Sequence, residues 1–157
     1  MPLLVPPPVI AATTALLMWA LHRWVPLAQW IAEPRHVLGL LVFAGGVALD
    51  LHAVLQFRRA RTTIDPVHPA RAATLVSSGV FALTRNPMYV GLALQLLGWA
   101  VWLGTASCLI GPPLFVALIT FGQIAAEERV LAERFGEAYR AYREAVPRWI
   151  GPRSFRR

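Results

Sequence analysis

Arg85, Asn86 and Pro87 stand side by side, followed by Met88 and Tyr89, where a polar stretch gives way to an apolar one. A proline suits the first turn of a helix, because its missing N–H is one that has no partner there anyway. An asparagine just before it can cap the free N–H groups of that turn. With Arg85 beside them, those N–H groups and the positive end of the helix dipole would receive an anion well. A purely local account also exists, in which Asn86 caps, Pro87 starts the helix, Arg85 snorkels and Tyr89 anchors at a membrane interface. Further along lie Glu127 and Glu128, adjacent acids at the end of another apolar run. Carboxylates at a membrane boundary are costly unless solvated, paired or bound to a ligand. Read locally, they are the charged start of a surface helix. A third candidate is Asp50 with His52 inside an apolar run. Two residues apart, they do not share a helix face, and a structural pairing of Asp50 with an arginine or with backbone groups is favoured over a proton path.

The elements that must position these groups follow from four apolar runs, at about 9–24, 37–57, 88–103 and 108–126. A hydrocarbon core of about 30 Å takes roughly 20 apolar residues as a helix. The expectation is therefore an all-α integral membrane protein, one domain over 1–157, with about four transmembrane helices. The short stretch Gly104 to Ser107 makes the third and fourth a tight antiparallel hairpin. Pro112 and Pro113 fall near the start of the fourth, where missing N–H groups matter least. The segment 58–79 is polar, basic and broken by Pro66, Pro69 and Gly79, and reads as a loop outside the bilayer. Beyond the fourth run, Val130, Leu131, Phe135, Tyr139 and Tyr142 recur at helical spacing, so an amphipathic helix is expected over about 127–145, stopped by Pro147.

Composition agrees with a membrane protein: 57% of the 157 residues are hydrophobic, and six are Trp, against roughly 45–50% apolar in soluble domains. The net charge is +7 and every basic residue counted is arginine. These arginines cluster in the 58–79 loop and the tail, so the positive-inside rule puts both on the cytoplasmic face and accounts for the charge without nucleic acid. The N-terminal apolar run lacks the positive flank of a signal peptide and reads as a retained helix. Cys108 is the single cysteine, which leaves no intrachain disulfide and no CxxC metal site. Phosphate-loop, HExxH, GxSxG and GxGxxG signatures are absent, and no metal is expected.

Two blocks together, Thr74 to Gly91 (TLVSSGVFALTRNPMYVG) and Glu127 to Trp149 (EERVLAERFGEAYRAYREAVPRW), resemble the isoprenylcysteine carboxyl methyltransferase family. That family belongs with the phospholipid methyltransferases, membrane enzymes that use S-adenosylmethionine and release S-adenosylhomocysteine. The resemblance implies a cofactor site at the cytoplasmic face of what would be a bacterial inner membrane. Carried over by position, Ala73, Thr74, Leu75, Val76 and Phe81 line the cofactor. Asn86, Pro87, Met88 and Tyr89 form its central motif, and Glu127 binds it. Arg85 and Glu128 take orienting roles. Gln123 stands one turn before Glu127, where eukaryotic relatives carry an arginine that meets the substrate carboxylate. Many relatives have histidine where this chain has Asn86, and asparagine cannot accept a proton near neutral pH. The stretch is therefore expected to bind and orient, and the methyl acceptor to be a membrane lipid or lipophilic small molecule. A membrane reductase of the sterol type using NADPH, an ion conduit through Asp50 and His52, and a non-catalytic anchor are the competing readings.

Overall fold

The computed structural model describes residues 5–30, 33–60 and 74–151. Helix accounts for 79% of the described residues, and no strand forms among them. α1 runs Pro7–Trp24, α2 Arg35–Arg59 and α3 Pro87–Leu103. A 3₁₀ turn, Gly79–Ala82, precedes α3. After α3 come another 3₁₀ turn at Ala106–Ile110, α4 at Gly111–Leu118, a π-helical stretch at Ile119–Ile124 and α5 at Ala125–Ala145.

Among the described residues, two helical stretches are long and apolar enough to cross a membrane: Arg35–Arg59 and the continuous Ala106–Ala145. α3 is apolar but shorter, at 17 residues. The helix expected over about 127–145 corresponds to α5, which follows the π-helical stretch with no loop between them. Helical winding carries on through Glu127 and Glu128, which find partners in Tyr89 and Arg85, as far as the kink at Gly136. What changes is the winding. Pro112 and Pro113 sit in the first turn of α4, where they displace no hydrogen bond. The Thr120 hydroxyl then donates to the Val116 carbonyl (2.6 Å) at the start of the π-helical stretch. Such back-bonding competes with the regular ladder, and wider turns of this kind recur at functional sites. α5 bends at Gly136, whose φ of 52° favours a residue without a side chain. It ends at Ala145, since the residue before a proline is driven out of the helical region, here Val146 before Pro147.

α2 and α3 make the most extensive contact in the molecule. They cross antiparallel through two glycine pairs one heptad apart. A Cβ on Gly46 would lie 2.5 Å from the Gly91 carbonyl oxygen, and one on Gly98 would lie 2.6 Å from that of Gly39. Backbone thus meets backbone, the arrangement by which helices associate where lipid removes the hydrophobic drive. Beside this crossing, the Gln95 amide donates to Asp50 Oδ2 at 2.7 Å. Asp50 is therefore tied to a glutamine of α3 rather than to an arginine or backbone group. His52 instead faces Gln56 on its own helix, with 3.4 Å between their Nε2 atoms. α1 packs on α3, α4 and the turn between them, around a core of Met18, Leu96, Ala100, Cys108, Phe115 and Ile119.

The glycine crossing is testable. Gly46→Ala must push α2 from α3, and overpacking of this kind costs about 1–3 kcal/mol. Gly45→Ala, with nothing within 4 Å of its added Cβ, serves as the control. It should leave stability unchanged or raise it by about 0.5–1 kcal/mol through helix propensity. Thermal unfolding in detergent micelles separates the two.

Candidate functional site

Four pieces of chain converge where α3 begins: the 3₁₀ turn before it, its own first turn, the start of α5, and residues 146–149 returning from the end of α5. Pro87 occupies the first turn of α3. Asn86 is the residue before it, yet its side chain makes no cap hydrogen bond. The Asn86 amide donates instead to the Arg148 carbonyl at 2.9 Å. The expected local cap loses to a tertiary partner, because the returning segment brings a carbonyl within reach. The same carbonyl accepts from the Thr84 hydroxyl at 3.0 Å, and the Arg85 N–H donates to the Pro147 carbonyl at 3.0 Å. Tyr142 adds a hydrogen bond to the Phe81 carbonyl (2.7 Å), and the Trp149 indole N–H donates to Thr120 (3.1 Å). Residues 146–149 thus form a strap sewn to the mouth of α3.

The charged groups are paired with one another. Arg85 Nη1 lies 2.8 Å from Glu128 Oε1, with both side chains only about a tenth exposed. Arg148 grips the same carboxylate with two hydrogen bonds, Nε to Oε1 at 2.9 Å and Nη2 to Oε2 at 2.6 Å. Those bonds hold the Arg148 pKa above its ordinary value. Arg85 therefore does not snorkel to the interface. Glu127 turns the other way: its Oε1 accepts from the Tyr89 hydroxyl at 2.6 Å and from the Gln123 amide at 2.7 Å. Tyr89 is buried, so it is no exposed interface anchor.

These elements enclose a cavity of about 250 Å³. Thr74, Leu75, Val76 and Phe81 line it from the segment before α3. Arg85, Asn86, Pro87, Met88 and Tyr89 line it from the start of α3, and Glu127 and Glu128 from α5. Apolar walls come from Leu131 and Phe135 of α5, from Phe57 at the end of α2, and from Pro7 and Pro8 at the start of α1. Gln123 does not line the cavity; it is buried behind it and donates to Glu127, which does. Ala73 lies outside the described residues. Asp50 and His52 are not part of the lining. Among the described residues, no three His, Cys, Asp or Glu side chains are grouped as a metal site would need.

Arg148 was not among the residues singled out from the sequence, where it is one of eight tail arginines. The available signal was its position directly after Pro147, where the helix must stop and the chain can turn back. Gln95 carries no charge, and its trace in the sequence is an amide inside an apolar run.

A family model described as phospholipid methyltransferase matches residues 34–138, from the start of α2 into α5. Protein-S-isoprenylcysteine O-methyltransferase of Xenopus laevis is 33% identical over 111 residues, covering 71% of this chain and 38% of that one. The Homo sapiens protein of the same name is 30% identical over 142 residues, covering 88% and 49%. This chain thus spans about half the length, or less, of those relatives. An uncharacterised protein of Haemophilus influenzae is 43% identical over 63 residues, which is 40% of this chain and all of that one. No solved structure matches. The chain belongs to the phospholipid methyltransferase family.

The shared carboxylate yields a stability prediction. Glu128→Ala leaves the buried Arg85 guanidinium without its carboxylate, and losing one partner of a buried ion pair costs about 3–5 kcal/mol. Arg148→Ala, removing a side chain about a third exposed, should cost less, about 1–3 kcal/mol. Thermal unfolding of both variants in one detergent should give that order.

Proposed function

We propose that this protein transfers a methyl group from S-adenosylmethionine to a lipophilic acceptor at the membrane boundary. The observation that carries the reading is the cavity itself: one wall presents Arg85, Glu127 and Glu128, while the others are apolar and reach α1 and α2. Ligand sites are mostly apolar with a few convergent polar groups, and this cavity meets that description.

The residues present fit the cofactor. Glu127 is an acceptor held in place by Tyr89 and Gln123, so it can take hydrogen bonds from ribose hydroxyls or from the ammonium of the methionine part. Leu75, Val76, Phe81 and Leu131 offer apolar surface to a purine. Arg85 is committed to Glu128, which leaves the N-terminus of α3, with its positive dipole end, as the better partner for the methionine carboxylate. The cofactor supplies an activated methyl on a sulfonium, so no metal or covalent intermediate is needed. The chain's own contribution is orientation and exclusion of water. Holding two reactants in line can supply about 7–11 kcal/mol of a barrier. Asn86 takes no part in proton transfer in this reading; it holds the strap through the Arg148 carbonyl. The acceptor would come from the side of Phe57, Pro7 and Pro8. Prenylcysteine-like carboxylates, lipid amines and apolar thiols are the classes such an opening admits. The relatives named for isoprenylcysteine O-methylation support the first, while Gln123 in place of an arginine weakens it. We place the cavity on the cytoplasmic side, following the arginine distribution.

Calorimetric titration of the protein in detergent with S-adenosylmethionine or S-adenosylhomocysteine should show saturable binding at one site per chain. Glu127→Gln, which keeps an acceptor oxygen for Tyr89 and Gln123, should weaken it about tenfold or more, the loss of a charge-assisted hydrogen bond, with a smaller drop in unfolding temperature than Glu127→Ala. Folded protein that binds neither compound would overturn the proposal. The acceptor class would come from label recovered after incubation with a labelled methyl donor and membrane lipid extract.

A further inference from the structure

α5 carries a second recess, on the face turned away from the cavity. Its walls bear Arg129, Arg140, Arg143 and Arg148, with Glu128 and Glu133. The bend at Gly136 creates it, by turning Arg140 and Arg143 back toward the side that bears Arg129. Positive charge dominates the recess. Glu128 is already shared by Arg85 and Arg148, and Arg140 pairs with Glu137. Among the described residues, neither Arg129 nor Arg143 has a carboxylate partner, and both are exposed.

The helix surface leading to the recess is of the opposite character. Leu118 is 45% exposed and Phe121 82% exposed. Together with Ala125, also exposed, they form an apolar strip that runs up the membrane-spanning stretch and ends at Arg129. An uncovered phenylalanine at the end of an apolar span suits acyl chains, and unpaired guanidiniums directly beyond it suit a phosphate. We propose that the recess and strip together bind an anionic phospholipid, its headgroup phosphate between Arg129 and Arg143 and its acyl chain along Phe121. The site is separate from the methyl-transfer cavity and shares only Glu128 with its lining, so it stands whether or not the methyl-transfer reading does.

Native mass spectrometry of the full chain in detergent, with phosphatidylglycerol or phosphatidylcholine of identical acyl chains, tests this. The expected result is one phosphatidylglycerol retained per chain, about tenfold tighter than phosphatidylcholine. The double substitution Arg129→Gln with Arg143→Gln should weaken retention about tenfold or more, as a surface arginine contributes about 1 kcal/mol toward an anionic lipid. Arg58→Gln with Arg59→Gln removes the same charge from exposed positions at the end of α2 and should leave retention unchanged. Equal weakening by both pairs would reduce the effect to diffuse charge and overturn the site. Equal retention of the two lipids would do the same, and displacement by equimolar inorganic phosphate would overturn the lipid as its occupant.

Discussion

The Glu128 carboxylate, gripped on both oxygens by Arg148 and touched on one by Arg85, is the constraint on which the rest of the site depends. It joins three segments far apart in sequence: the start of α3, the start of α5 and the strap after α5. A buried charge left alone would be costly, so each of the three must be present for the others to be stable. Once Glu128 is fixed, the strap lies across the mouth of α3. There its Pro147 and Arg148 carbonyls take up the Arg85 N–H, the Thr84 hydroxyl and the Asn86 amide.

The two adjacent acids therefore divide their work. Glu128 is spent on architecture, while Glu127, one residue earlier and rotated by about 100° on a helix, is held by Tyr89 and Gln123 at the cavity wall. Neither role could be exchanged for the other without moving α5 about its axis. The π-helical stretch at Ile119–Ile124 sits directly before this pair and sets the rotation at which both acids arrive.

The sequence revealed much of this, and the misses have physical causes. Apolar runs marked α1, α2 and α3, because burial in lipid or core leaves a strong compositional trace. The sequence singled out both Arg85 and Glu128, and the structure pairs them. The winding change at 119–124 was not, since a wider turn alters spacing over too few residues to disturb a periodic pattern. The role of Asn86 misled for a related reason. A cap is a local preference worth about 1 kcal/mol, and it yields when a folded chain delivers a carbonyl from sixty residues away, here that of Arg148. Arg148 itself was hidden among like residues, as only the three-dimensional return of the chain distinguishes it from the other tail arginines.

The glycine contacts between α2 and α3 bear on how the cavity could admit a molecule larger than itself. Two helices that touch backbone to backbone at points one heptad apart behave mechanically as a single stiff strut. Neither can slide or tilt without driving main-chain atoms into each other. The first turn of α3 is thereby anchored to α2, and Phe57 at the end of that strut is a fixed wall. Compliance has to come from the boundary that none of these hydrogen bonds or ion pairs fastens: the start of α1, which meets the cavity through two prolines. The site is built on one stiff wall, to which Tyr89 and Arg85 fasten Glu127 and Glu128 of α5.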